Sequence, residues 1–154
     1  MMSRHLVAVL VTCLFMPAFA GDLERQIEIT APSVRAVPPG QPNSAAFMTL
    51  TNSGQVDGAL VAAASPAAEV VELHTHAMVE GMMRMRRIER IDLPAGEVVK
   101  LAPGGLHIML IGLVAPLVID ETVEIRLSFD DGSERLVSAP VRPILPMQAP
   151  HQAH

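Results

Sequence analysis

His74-Thr75-His76, Met83-Arg84-Met85 and His107-Ile108-Met109 each place two soft or borderline metal-ligating side chains two residues apart. A β-strand alternates its side chains between two faces, so this spacing puts both members of a pair on one side. Imidazole and thioether groups together favour copper, and thioethers in particular favour soft Cu(I) over harder cations. The three pairs therefore point to copper binding. A set of two histidines and two methionines is uncharged and polarisable, which suits Cu(I), whereas Cu(II) would want more nitrogen or oxygen. Methionines commonly fill gaps in cores. Histidines in register with them on apolar segments are less easily explained that way, because a buried imidazole needs partners of its own.

Strands are the elements that must hold these residues. From Gln26 onward apolar residues recur at a period near two, or in short runs broken by proline and glycine, and no segment has the periodicity of a long helix. Strands are predicted at 26–31, 44–52, 59–64, 69–76, 82–88, 98–101, 106–111, 122–129 and 134–141. Their connections carry turn residues at Pro38-Pro39-Gly40, Asn52-Ser53-Gly54, Pro94-Ala95-Gly96, Pro103-Gly104-Gly105 and Asp130-Asp131-Gly132. The last joins a clear hairpin, since Val123, Ile125, Leu127 and Phe129 alternate with polar residues before it. Many short strands at this spacing predict an all-β, Greek-key β-sandwich.

The chain has 154 residues. Arg4, the apolar stretch Leu6–Phe15, Pro17 and Ala18-Phe19-Ala20 read as a secretory signal over residues 1–20, too short in its apolar part to span a membrane. Cys13, the one cysteine, lies in that stretch without the small residues that precede a lipid-modified cysteine. The exported chain is then expected to fold without disulfides. One sandwich domain is expected over 21–142, followed by a flexible tail at 143–154 with Pro143, Pro146, Pro150, Met147, His151 and His154. The net charge of −5 and the lack of a basic stripe argue against nucleic-acid binding. Beyond the leader the only aromatic rings of Phe, Tyr or Trp are Phe47 and Phe129, so platforms for stacking bases or sugars are missing.

Ten residues separate His74 from Met85, twenty-one separate Met85 from His107, and one separates His107 from Met109. With Val71-Glu72-Leu73-His74, Met83-Arg84-Met85-Arg86, Leu93-Pro94-Ala95-Gly96 and Pro103-Gly104-Gly105-Leu106-His107-Ile108-Met109-Leu110 around them, these intervals resemble the periplasmic copper chaperone family PCuAC. The resemblance covers nearly all of the chain between leader and tail. It implies a cupredoxin-like sandwich in which His74, Met85, His107 and Met109 bind one Cu(I). It also implies a periplasmic location, delivery to the CuA centre of cytochrome c oxidase subunit II, and Sco-type proteins as co-workers.

His76 and Met83 fall outside the family spacing and read as neighbours of the site rather than ligands, with His76 at the exposed end of its strand and Met83 packed. Met78 and Met82 flank Glu80-Gly81, a predicted turn, where thioethers could pass copper inward, although packing is the plainer reading. Arg84, Arg86 and Arg87 form the one dense positive cluster; it reads as a solvated face, or as a surface steering an acidic partner. Met147, His151 and His154 of the tail could hold Cu(II) weakly. No nucleophilic cysteine beyond the leader, Gly-x-Ser-x-Gly elbow, His-Glu-x-x-His or phosphate loop is present, and Asp120-Glu121 and Asp130-Asp131 sit at turns, so no enzyme is expected. A blue-copper electron carrier would need a cysteine thiolate. A copper buffer without a specific recipient is the competing function.

Overall fold

The computed structural model describes residues 22–143; the expected leader and Met147, His151 and His154 lie outside the described residues. A four-residue helix, α1 (Leu23–Gln26), precedes strands β1 (Ile27–Arg35), β2 (Asn43–Asn52), β3 (Gly58–Ala64), β4 (Ala68–Val79) and β5 (Met82–Ile88). Strands β6 (Ile91–Leu93), β7 (Val98–Leu101), β8 (His107–Leu113), β9 (Thr122–Phe129) and β10 (Glu134–Arg142) follow. The predicted all-β sandwich is therefore what the chain adopts. Hydrogen bonding runs in the order β5-β4-β8-β2-β1-β10-β9-β3-β6, with β7 pairing along β2 beyond the end of β8.

The sheet path closes into two layers at β1 and β10, which pair in parallel at Val34–Val141 and Arg35–Arg142. Alternation then decides what lies between the layers. Ala46, Met48 and Leu50 of β2, Leu73 of β4 and Ile108 and Leu110 of β8 meet Leu60 of β3, Ile91 and Leu93 of β6, and Ile125, Leu127 and Phe129 of β9 in one continuous buried cluster. Asn52 is one of three buried polar residues among those described, with Ser44 and His107, and all its demands are met. Its amide donates to the carbonyls of Val56 (2.9 Å) and Leu93 (2.8 Å), and its Oδ1 accepts the Gly54 N–H.

Three features depart from the sequence expectation. Strand β1 runs four residues past Ala31, through an irregularity between Thr30 and Ser33 at which Ala31 takes φ +48°; the bulge re-aims the chain so that its second half reaches β10. Strand β6 is too short for its own alternation to announce it, and it exists because Gly58–Leu60 offers it partners. Helix α1 has no side-chain cap from Asp22. Its first N–H groups are satisfied across the molecule instead, Leu23 donating to Asp131 Oδ2 (2.8 Å) and Glu24 to Ser133 Oγ (3.1 Å) in the β9–β10 turn.

Asp131 also accepts from the hydroxyl and N–H of Ser133. Burial alone would raise its pKa, yet the Ser133 hydroxyl together with the Leu23 and Ser133 N–H groups holds the carboxyl below its ordinary value. Asp131→Ala is expected to lower stability by about 1 kcal/mol at neutral pH, the usual cost of losing such a cap. A group with a depressed folded pKa stabilises fully above its unfolded value, near 3.8, and loses that contribution as pH falls through the lower folded value. Urea unfolding of wild type and variant should therefore differ at pH 7 and converge in strong acid; equal midpoints at pH 7 would contradict the capping role.

Candidate metal centre

Strands β8, β4 and β5 lie side by side, and their register places the ligand-type residues opposite one another. His74 of β4 is paired with His107 of β8, and Glu72 with Met109. On the other edge of β4, His76 is paired with Met85 of β5, and Met78 with Met83. Directly paired residues of antiparallel strands share a face, so all three sequence pairs project from the same side of this sheet. The intervening Leu73 and Ile108 enter the core. Arg84 and Arg86 pair with Ala77 and Thr75 on the opposite face of the hairpin from Met83 and Met85, as strand alternation requires.

The three imidazoles cluster. The ring of His107 lies 5.8 Å from that of His74 and 5.3 Å from that of His76, centre to centre, with Phe47 of β2 against its other side at 6.4 Å. His107 is only 2 % exposed, and its Nδ1 lies 2.9 Å from the Gly105 carbonyl. A carbonyl can only accept, so Nδ1 carries the proton of the neutral ring and Nε2 carries a lone pair. That Nε2 is buried without a partner. His74 repeats the logic with the nitrogens exchanged. Its Nε2 lies 2.8 Å from a Glu72 carboxylate oxygen, which assigns the proton to Nε2 and leaves Nδ1 with a lone pair, again buried and unpartnered.

Two acceptor nitrogens on facing residues, each held in one tautomer by a hydrogen bond behind it, are what a metal ligand pair requires. Buried polar atoms ordinarily find partners, so these orphaned nitrogens call for a ligand. Burial lowers the pKa of His107, the Gly105 carbonyl opposes the shift, and the neighbouring rings of His76 and His74 add to the lowering. The neutral, ligating form is thereby favoured. Among the described residues, no three His, Cys, Asp or Glu side chains form a metal-holding group. Met109 and Met85 are the thioethers that the register brings to the same face beside His74 and His107.

The sequence reading of two neighbours needs correction. His76 is not at the exposed end of its strand, because β4 continues to Val79; the ring is half-buried and its Nδ1 is a third buried, unpartnered nitrogen. Met83 does not pack, being 58 % exposed. Met82 pairs with Val79 on the face away from the site, which leaves Met78 as the turn-flanking methionine on the site's side. Glu72, two residues before His74, has the same spacing as the ligand pairs and stands behind the His74 ring. It also lies 3.8 Å from Arg87. Glu72→Ala is expected to weaken copper binding about tenfold or more, the usual effect of removing a carboxylate behind a metal-binding imidazole; an unchanged affinity in competition titration would remove Glu72 from the site.

Comparison with known proteins places the chain by family and fold. The family model described as "Putative lipoprotein LpqE-like" matches residues 27–141. A putative lipoprotein of Leifsonia xyli subsp. xyli, Lxx21020, is 35 % identical over 131 residues, covering 82 % of this chain and 78 % of the relative. Among solved structures, the solution structure of CuI-DR1885 from Deinococcus radiodurans is 37 % identical with a TM-score of 0.63, covering 81 % of each chain. The apo form of DR1885 is matched at 34 % identity and a TM-score of 0.62, over 94 % of this chain and 96 % of that one. The copper-bound PCuAC domain from PmoF2 is 25 % identical with a TM-score of 0.66, over 77 % and 94 %.

Proposed function

Because the chain belongs to the family described as putative lipoprotein LpqE-like and is similar in structure to a copper-bound PCuAC domain, we propose that it is an exported copper chaperone working in the periplasm. It binds Cu(I) through His74, Met85, His107 and Met109 and acts as a carrier rather than an enzyme. The observation that carries this reading is the facing pair of buried, tautomer-fixed nitrogens, His74 Nδ1 and His107 Nε2, with nothing to bond to. Copper is here the cargo. No helix of the described residues is long and apolar enough to cross a membrane.

Exposure orders the release. His107 is buried and Met109 half-buried, whereas Met85 is 46 % exposed on a strand at the sheet's edge. An acceptor's thiolate or imidazole can therefore reach the metal from the Met85 side and displace that weak thioether bond first, while the two imidazoles retain the ion until the new bonds exist. By resemblance the acceptor is the CuA domain of cytochrome c oxidase subunit II, with a Sco-type protein as co-worker. Mixing the Cu(I)-loaded protein with an apo CuA domain tests this. Appearance of the CuA absorption, after oxidation, at a rate exceeding spontaneous copper release is the expected result. Tight binding without such transfer would instead favour a copper buffer lacking a specific recipient. The tail histidines His151 and His154, with Met147, are a proposed weak Cu(II) site separate from this chemistry.

A further inference from the structure

Ligand-type side chains do not stop at the four that the family spacing selects. Along the β4–β5 hairpin the site's face continues outward through His76 opposite Met85 and Met78 opposite Met83, up to the Glu80-Gly81 turn. Both turn residues have positive φ, +50° and +77°, the backbone of a tight primed hairpin turn, which fixes the register of these pairs. Met78 is 65 % and Met83 58 % exposed. Two apolar side chains facing each other mostly in solvent contribute little burial to the fold. Beside them, His76 holds a buried nitrogen that no protein group satisfies, a cost that a metal bond would relieve.

We infer that Met78, Met83 and His76 form a second, outer site for a soft monovalent ion of the Cu(I) class, from which the metal passes to or from the inner site across Met85. The inference rests on the inner-site reading for its direction of traffic, but the outer residues stand on their own geometry. Directly paired side chains have Cβ atoms about 4.5–5.5 Å apart, close enough for two flexible thioethers to converge on one ion, and His76 lies one pair further in. Two thioethers and an imidazole are again an uncharged, soft set. Being exposed and one ligand poorer, the outer site binds at least tenfold more weakly than the inner one. His76 stands between the two sites, facing Met85 across the strands with its ring centre 5.3 Å from that of His107.

Titration of the full chain with Ag(I), a stable soft monovalent probe, distinguishes the sites when it is followed by the methionine methyl resonances. Met109 and Met85 are expected to shift over the first equivalent, and Met78 and Met83 to shift together by the second. In the double variant Met78→Leu and Met83→Leu, uptake should fall by one equivalent with the Met109 response unchanged. In His76→Ala, saturating the Met78 and Met83 signals should need at least ten times more free Ag(I). Leucine at exposed positions leaves the fold intact, and the retained Met109 response reports it. Immobile Met78 and Met83 signals through two equivalents overturn the outer site whatever Met109 does. Movement of Met78 and Met83 with no response from Met109 upholds the outer site and refutes the inner one.

Discussion

Replacing His107 with alanine should reduce Cu(I) affinity by at least about 100-fold, since loss of a hydrogen-bond partner behind a metal-binding imidazole alone costs about 10–100-fold. His107 is the residue on which the site turns. It is paired with His74 across the strands, packed between His76 and Phe47, and 2 % exposed. Competition against a chelator of known Cu(I) affinity measures the effect, and a decrease smaller than tenfold would show that copper binds elsewhere.

Acid dependence follows from the same burial. The folded pKa of His107 lies below the 6.5 of an ordinary histidine. As pH falls from that value, the unfolded chain takes up a proton that the native site resists, so the apo protein loses stability on acidification. Above it, both states are neutral and His107 makes stability independent of pH. Proton competition for copper at this ligand should accordingly begin at a lower pH than for a solvent-exposed imidazole. His107→Ala should flatten both dependences.

The second large effect is expected from the neighbouring position. Ile108→Ala should destabilise the fold by roughly 2–5 kcal/mol through lost burial and the cavity left behind, out of a total that is typically about 5–15 kcal/mol for a native protein. Ile108 is fully buried and faces the core between two residues that face the metal site. The variant therefore separates fold from function. Its ligands stay on the strand in the same register, so copper stoichiometry should hold at temperatures where the protein remains folded. Bound metal should also raise its melting temperature, as any ligand specific to the native state does. A variant as stable as wild type would mean that the core beneath the site is not packed as described.

The contrast between Ile108 and its neighbours shows what the sequence could and could not reveal. Period-two alternation is local, so the strand character of 106–111 and the shared face of His107 and Met109 were legible without a structure. The turns at Glu80-Gly81 and Asp131-Gly132 were legible for the same reason, because Gly81 and Gly132 supply the positive φ that the chain needs there. Register between strands is not local. Nothing in His74-Thr75-His76 says that the second histidine lies opposite Met85 and against His107, and its burial depends on β4 running on to Val79. Glu72 was visible as a carboxylate in step with His74, but its role depends on the proton it accepts from that ring. Helix α1 and strand β6 were hidden because each is held by distant partners, Asp131 and Ser133 in one case and Gly58–Leu60 in the other.

Strand β5 ends the hydrogen-bonded order of the sheet, and among the described residues no strand pairs with its outer side. Open edges of this kind invite a second copy to pair and begin aggregation, which natural sheets resist by placing charge on them. Arg84, Arg86 and Arg87 do so here, all of them exposed. On the proposed function, the strand that presents Met85, the most exposed of the four proposed ligands, must stay uncovered to exchange metal. The same arginines that look like decoration around Met85 thus set like charge against like charge where a second copy would pair, opposing edge-to-edge association while the metal face stays open.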